Sequence, residues 1–210
     1  MQVLDWVKQE KIVAIVRGDY SLDALKVMGQ ALHDCGINLL EITMNSAGAV
    51  EAIAMLVQEL GGRMCIGAGT VLDVAQVDAV AKVGARFVVA PETYDPVIKM
   101  ALGLGLEPMP GAFTPSEIMS ASRAGARLVK LFPAVTGGPD YVKQVRAPLG
   151  HVDLMVTGGV EPDSARAYLD AGAVAVGMGS SLVPKKFDGS PEAVGLLIAR
   201  GKALVEAVRG

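Results

Sequence analysis

The 210-residue sequence has two cysteines and two histidines, and this scarcity narrows the chemistry that it can support. Cys35 falls at the end of a predicted helix and Cys65 within an apolar strand, with no CxxC spacing, so no disulfide framework is expected. A reducing cytoplasm is the simplest compartment for such a chain. His33 falls in a helical pattern, His151 precedes a strand, and no group of histidines and acids has ligand spacing. We therefore expect no metal site and no catalytic histidine.

The sequence also lacks the features of a chain that binds nucleic acid or crosses a membrane. The formal net charge is −3 and there is no block of lysines and arginines, which argues against nucleic acid or an anionic membrane as partner. No window approaches eighteen consecutive apolar residues, and acids interrupt the apolar residues near the N-terminus. We expect a soluble, unprocessed protein that acts on small molecules.

What the sequence does contain is a regular series of glycines, each placed after a helical pattern and before a short apolar run. They are Gly36, Gly61, Gly84, Gly105, Gly125, Gly150 and Gly172. Glycine tolerates the left-handed backbone that closes a helix before a loop, so each is expected to mark a helix-to-strand transition. Helix starts are expected at Asp73, Asp95 and Thr114.

Seven such transitions and one opening strand predict eight strands. They are expected near residues 12–16, 39–43, 64–67, 87–90, 107–110, 128–132, 153–156 and 173–177. Eight parallel strands alternating with helices form the (β/α)8, or TIM, barrel. We predict an α/β fold with one TIM barrel as a single domain over residues 1–210, and an N-terminal helix over residues 3–10 that closes one end.

One lysine inside an apolar run is the most informative residue of the chain. Lys130 lies in LVKLFPA, residues 128–134, and strand alternation places it on the same inward face as Leu128 and Phe132. Burial disfavours the ammonium, lowers the pKa and makes the neutral amine available to attack a carbonyl. The alternative is a lysine that reaches water at the strand end or pairs with a buried acid.

A second charged residue, Glu41, lies in the apolar strand LLEIT in the inward register of Leu39 and Thr43. One possibility is that Glu41 and Lys130 neutralise each other as a structural ion pair. The other is catalytic: Lys130 forms an imine with a ketone, and Glu41 shuttles protons as general acid and base. The iminium would then accept the electrons of a breaking carbon–carbon bond.

Further polar residues and glycines fall at the carboxyl ends of the predicted strands, where a TIM barrel carries its active site. The TGG and GMGS segments follow the last two strands, where such barrels commonly bind phosphate through backbone N–H groups and a short helix N-terminus. The GAGT segment at 67–70 lacks the complete dinucleotide fingerprint, so NAD is not expected. Taken singly, each of these polar residues and glycines also has a simpler explanation, as a loop charge, a helix start or a turn. The residues concerned are Arg17, Thr70, Thr157, Gly158, Gly159, Gly179 and Ser180.

As an ordered set, seven segments spread over nearly the whole chain resemble the 2-keto-3-deoxy-6-phosphogluconate (KDPG) and 4-hydroxy-2-oxoglutarate (KHG) aldolase family. The resemblance implies a class I aldolase on a (β/α)8 barrel, commonly a homotrimer, that needs no cofactor. The matching segments are KIVAIVR at 11–17, LLEITMNS at 39–46, IGAGTV at 66–71, PGAFTPSE at 110–117, LVKLFPA at 128–134, VTGGV at 156–160 and VGMGSSLV at 176–183.

The resemblance also implies roles for individual residues. Lys130 would be the Schiff-base lysine and Glu41 the general acid/base. Arg17 and Thr70 would hold the pyruvate carboxylate, and Phe132 and Thr157 would line the substrate site. The phosphate would be held by Gly158, Gly159, Gly179 and Ser180.

Two positions depart from the family pattern. Asn45 stands where some members carry an arginine for the carboxylate, and Arg17 looks like the substitute seen in other members. Glu92 follows Pro91 where many relatives have a small or neutral residue, and a charge there could disfavour acidic substrates.

These observations favour a lyase that cleaves KDPG to pyruvate and glyceraldehyde 3-phosphate. An aldolase for KHG or for the galactonate epimer of KDPG is the alternative. Galactonate-directed relatives tend to carry an aliphatic residue where this chain has Thr157, which favours the gluconate substrate. From a different class, a phosphate-binding barrel isomerase or epimerase would share the glycine loops, and so would a catalytically silent sugar-phosphate binder. Neither needs an inward lysine.

Overall fold

A computed structural model describes residues 1–184 and 186–210. Its centre is a parallel sheet in the order β5-β4-β3-β2-β1-β9-β8-β7-β6. The strand segments are β1 (Ile12–Val16), β2 (Leu39–Thr43), β3 (Cys65–Gly69), β4 (Phe87–Val89), β5 (Glu107–Met109), β6 (Gly111–Ala112), β7 (Leu128–Leu131), β8 (Asp153–Thr157) and β9 (Ala175–Met178).

The two ends of this order meet at Pro110, which separates β5 from β6 by one residue. Proline has no N–H to donate to a neighbouring strand, and this interrupts the ladder. Its carbonyl still accepts the N–H of Lys130 at 2.8 Å. The segments β5 and β6 therefore form one barrel strand, and the prediction of an eight-stranded TIM barrel is confirmed.

Helices alternate with the strands along the described chain. Two of the predicted helix starts have the expected caps: Asp73 accepts the N–H of Gln76 at 2.8 Å, and Thr114 forms a capping box with Glu117. The third helix starts at Asp95 as predicted, but Tyr94 occupies its capping position. The helices are α1 (Val3–Glu10), α2 (Leu22–Asp34), α3 (Ala49–Leu60), α4 (Val74–Lys82), α5 (Asp95–Gly103), α6 (Pro115–Arg123), α7 (Gly138–Arg146), α8 (Pro162–Asp170) and α9 (Pro191–Arg209), with a 3-10 turn at Ala134–Thr136.

Not all of the periodic glycines close helices in the expected conformation. Positive φ angles occur at Gly36, Gly84, Gly105, Gly125 and Gly172. Gly61 marks a helix-to-strand transition as expected, but the left-handed conformation is wrong for it: its φ is −59° because its N–H still donates to Val57 in a helical pattern. That conformation is also wrong for Gly150, which lies beyond the end of α7 and does not have a positive φ.

Alternation along the strands divides the apolar side chains between two cores. One lies between the barrel and the surrounding helices. The other fills the barrel interior, where Val13, Leu39 and Phe87 pack with Val3 and Val7 of α1. Val13, Leu39 and Phe87 lie at the N-terminal ends of their strands. The helix α1 therefore closes the N-terminal end of the barrel, as predicted. The opposite end is left for the polar residues. Among the described helices, none combines the length and the apolar character that a membrane crossing requires.

Glycines on the inward face make room for large neighbours, and Gly67 on β3 gives a test of this packing. A Cβ atom at Gly67 would lie 2.5 Å from the Phe87 ring. We predict that Gly67→Ala lowers the free energy of unfolding by about 1–3 kcal/mol, as overpacking does. Gly103→Ala is the matched control, since no heavy atom lies within 4 Å of a Cβ there, and it should be neutral or stabilising by up to about 1 kcal/mol. Urea denaturation measures both, and equal midpoints would contradict the packing account.

Candidate active site

A cavity of about 360 Å³ opens at the carboxyl ends of the barrel strands. It is lined by residues that end or follow β1, β7, β8 and β9, as TIM-barrel topology requires. Of the residues singled out in the sequence, Glu41 and Thr70 do not line it. Those that do are Arg17, Lys130, Phe132, Thr157, Gly158, Gly159, Gly179 and Ser180.

Lys130 is held in the wall of this cavity with 5% of its surface exposed. It lies on β7 between Gly111 and Met155 of the neighbouring strands, and its Nζ atom is 4.9 Å from the centre of the Phe132 ring. Among the described residues, its side chain forms no hydrogen bond or ion pair. Burial lowers the pKa of Lys130, the charge of Glu41 opposes this shift, and the charge of Arg17 adds to it. Lys130 therefore loses its proton to give the neutral amine at a lower pH than an exposed lysine does.

Glu41 is buried on β2, with 1% of its surface exposed, between Ile15 and Gly67 in the strand register. Its carboxylate occupies space that only a glycine at position 69 leaves open, because a Cβ there would lie 2.3 Å from Oε1. Burial raises the pKa of Glu41, and the charges of Lys130 and Arg17 oppose the shift. The ion pairs of the described residues do not include Glu41 with Lys130. The structural ion-pair alternative is therefore not what the geometry shows.

Two buried polar atoms lack a hydrogen-bond partner in the described part of the chain, and both belong to this region. They are Oε2 of Glu41 and Oγ1 of Thr157. Leaving such an atom unpaired costs about 1–3 kcal/mol, and native structures contain few of them. The Thr157 hydroxyl lies at the cavity, where a bound molecule can complete its contacts, whereas Glu41 is enclosed beside Gly69 and does not line the cavity.

Arg17 follows β1 and extends its guanidinium toward the loop after β3. Its Nη2 atom donates a hydrogen bond to Oγ1 of Thr70 at 3.3 Å. Thr70 has φ of 55°, a left-handed conformation that is strained for a β-branched residue. Asn45 and Glu92, the two departures from the family pattern, are both exposed and do not line the cavity.

The other end of the cavity consists of backbone. Gly158 and Gly159 have φ of 87° and 74°, and Cβ atoms there would lie 2.9 Å from Phe132 and 2.5 Å from Val135. Within the described residues, the N–H groups of these two glycines, Gly179 and Ser180 donate no hydrogen bond. Successive unpaired N–H groups in left-handed turns form a concave site suited to an anion.

Some residues that line the cavity were missed by the sequence analysis. Ile15 could have been found, because strand alternation puts it on the same face as Val13 and Arg17. Tyr20 had no periodic signal; its hydroxyl donates to the carbonyl of Pro184 at 2.9 Å and so joins the loops after β1 and β9. Glu161, at the N-cap of α8, also lines the cavity.

Comparison with known proteins identifies the family of the chain. A family model described as KDPG and KHG aldolase matches residues 3–194. The chain is 37% identical to 2-dehydro-3-deoxy-6-phosphogalactonate aldolase of Escherichia coli (strain K12), over 85% of this chain and 87% of the relative. It is also 37% identical to 2-dehydro-3-deoxy-phosphogluconate aldolase of Pseudomonas aeruginosa, over 85% of this chain and 80% of the relative.

A solved structure adds a chemical observation made on a relative. KDPG aldolase from Legionella pneumophila, with pyruvate captured as a covalent carbinolamine, superposes with a TM-score of 0.80 at 27% identity and covers 96% of this chain and 94% of its own. The present protein is a TIM-barrel lyase of the aldolase type. It belongs to the KDPG and KHG aldolase family. An isomerase, an epimerase or a silent sugar-phosphate binder is therefore the wrong class.

Proposed function

We propose that the protein is a class I aldolase that cleaves KDPG to pyruvate and glyceraldehyde 3-phosphate, with Lys130 as the Schiff-base nucleophile. The observation that carries the proposal is the burial of Lys130 beside a cavity without an ion-pair partner in the described residues. Class I chemistry needs a neutral amine next to a bound ketone. The covalent carbinolamine in the Legionella relative supports such an attack.

The reaction follows from the charges of the two buried groups. The neutral amine of Lys130 attacks C2 of the substrate, and loss of water from the carbinolamine gives a protonated imine. Glu41 gives a proton to the departing hydroxyl and then takes the proton of the C4 hydroxyl, directly or through water. The C3–C4 bond breaks, its electron pair moves to the iminium, and the aldehyde leaves. Protonation of the enamine at C3 and hydrolysis release pyruvate and restore the amine.

Arg17 and the glycine loops fit the two anionic ends of this substrate. Arg17 is close enough to Lys130 to lower its pKa, and its guanidinium suits the carboxylate next to C2. The unpaired N–H groups of Gly158, Gly159 and Gly179 suit the phosphate at the far end, together with the Ser180 hydroxyl. An unphosphorylated substrate such as KHG would leave these donors unused.

A second candidate substrate is the galactonate epimer of KDPG, because the Escherichia coli relative named for it is as similar as the Pseudomonas relative named for KDPG. The two epimers differ at C4. Thr157 presents a buried, unpaired hydroxyl at the cavity, and we infer that it forms a hydrogen bond with the C4 oxygen of the gluconate form.

We further propose that the protein is a cytoplasmic homotrimer that needs no cofactor, in line with the family resemblance.

The Schiff-base assignment can be tested by borohydride reduction in the presence of pyruvate. We expect one pyruvate-derived mass on the peptide that contains Lys130, and none after Lys130→Met. Lys143→Met, which removes an exposed lysine, is the matched control and should leave the adduct intact.

Glu41→Gln should keep the adduct and reduce turnover by a factor of about 10² to 10⁴, the usual contribution of a general acid/base. An adduct on another lysine would refute the assignment, and near-normal turnover of Glu41→Gln would remove Glu41 from the mechanism.

The epimer preference depends on Thr157. We predict that kcat/KM for KDPG exceeds that for its galactonate epimer by roughly tenfold to a hundredfold, because the wrong epimer leaves the buried hydroxyl unpaired at a cost of about 1–3 kcal/mol. Thr157→Val should reduce this ratio while the pyruvate adduct still forms. Thr136→Val is the control, since Thr136 is exposed and away from the cavity lining. A ratio that Thr157→Val leaves unchanged would show that discrimination lies elsewhere in the pocket.

A further inference from the structure

Hydrogen bonds join the loop after β1 to the loop after β2, the strand that lies between β1 and β3 in the sheet. The N–H of Gly18 donates to Oγ of Ser46 at 3.0 Å, and the N–H of Ala47 donates to the Asp19 carboxylate at 3.0 Å. Gly18 directly follows Arg17 in sequence. The backbone next to Arg17 is thus attached to a neighbouring loop.

Ser46 is itself fixed to the barrel. Its hydroxyl shares a hydrogen bond of 3.0 Å with the hydroxyl of Thr43, and its N–H donates to the Thr43 carbonyl at 2.9 Å. Thr43 is fully buried on β2, two residues after Glu41. Because a buried strand residue moves little, Oγ of Ser46 has a defined position relative to the strand that carries Glu41.

Gly18 needs this support more than another residue would. Its φ is 140°, in a region that favours glycine, and glycine has the most backbone freedom to lose when it is ordered. Without a side chain of its own to pack, Gly18 is restrained at its N–H by Ser46. The guanidinium end of Arg17 is restrained separately, by its bond to Thr70.

We propose that Ser46 is a positioning residue for Arg17. It orders the backbone at Gly18, so that the guanidinium reaches the cavity in the orientation that receives the substrate carboxylate. Ser46 does not line the cavity, and it acts only through Arg17. This inference rests on the proposed function, since it assumes that Arg17 holds the carboxylate of pyruvate.

The test is the pyruvate concentration that gives half-maximal borohydride trapping, measured alongside kcat and KM for KDPG. Ser46→Ala should raise the half-saturating concentration and KM by about twofold to tenfold, the effect of one neutral hydrogen bond, with a smaller change in kcat. Ser46→Thr keeps the hydroxyl and should restore most of the loss. Ser21→Ala is the matched control, because that hydroxyl accepts the N–H of Ala24 at 3.2 Å and caps α2 on the same loop. It should leave half-saturation unchanged.

A double substitution separates positioning from general loosening of the fold. In an Arg17→Ala background, Ser46→Ala should add no further change, since no guanidinium remains to be positioned. An equal effect of Ser46→Ala in both backgrounds, or no effect on half-saturation in the wild type, overturns the proposal.

The same data distinguish this inference from the proposed function. Absence of any adduct in the wild type overturns the aldolase mechanism, and this proposal with it. An adduct whose half-saturation does not respond to Arg17→Ala overturns the carboxylate role of Arg17 and therefore the positioning role of Ser46. An adduct that responds to Arg17→Ala but not to Ser46→Ala overturns the inference alone.

Discussion

The burial of the Lys130 ammonium in the barrel interior is the constraint on which the rest of the site depends. Removing a charge from water without a close partner is unfavourable, and the fold keeps this lysine at 5% exposure with its nitrogen 4.9 Å from the centre of the Phe132 ring. The lowered pKa means that the unfolded chain binds more protons than the folded chain between the folded pKa and the ordinary value of 10.5. The free energy of unfolding therefore rises with pH across that window, because the lysine becomes neutral and the cost of its buried charge disappears.

Burial raises the pKa of Glu41, so the contribution of Glu41 to the free energy of unfolding falls as pH rises from the ordinary value of 4.5 toward the folded pKa.

The remainder of the barrel can be understood as support for these two groups. The N-terminal half of the interior is apolar and closed by α1, and it includes Leu39 and Leu128, which lie on the strands that carry Glu41 and Lys130. Toward the other end, glycines replace side chains. Gly69 leaves room for the Glu41 carboxylate, and Gly177 leaves room for Thr157, whose methyl carbon would lie 2.4 Å from a Cβ atom there. The same absence of side chains opens the cavity and leaves the backbone N–H groups of the glycine loops accessible beside it.

Much of this arrangement could be predicted from the sequence because it depends on periodicity. Alternation on β2 and β7 places Glu41 and Lys130 inward, and the regular glycines indicate the number of strands. The distance between Glu41 and Lys130 could not be predicted, because inward register on two strands does not fix how side chains meet across a barrel. The contacts of Ser46 with Gly18, and of Tyr20 with Pro184, join residues 28 and 164 positions apart. They depend on loop conformation, for which alternation gives no signal. Gly61 and Gly150 were misjudged because a helix can end without a left-handed glycine.

The central claim is that burial, not pairing, sets the chemistry of Lys130. The pH dependence of its reaction with an amine-selective acylating reagent tests this most directly, with peptide mapping to separate Lys130 from the exposed Lys143. The account predicts that the inflection for Lys130 lies below 10.5, and that it moves still lower in Glu41→Gln, because the carboxylate charge raises the pKa of this lysine. Lys143 serves as the internal control for the extent of acylation in the two proteins. An inflection for Lys130 at or above 10.5, or an upward shift in Glu41→Gln, would contradict the account.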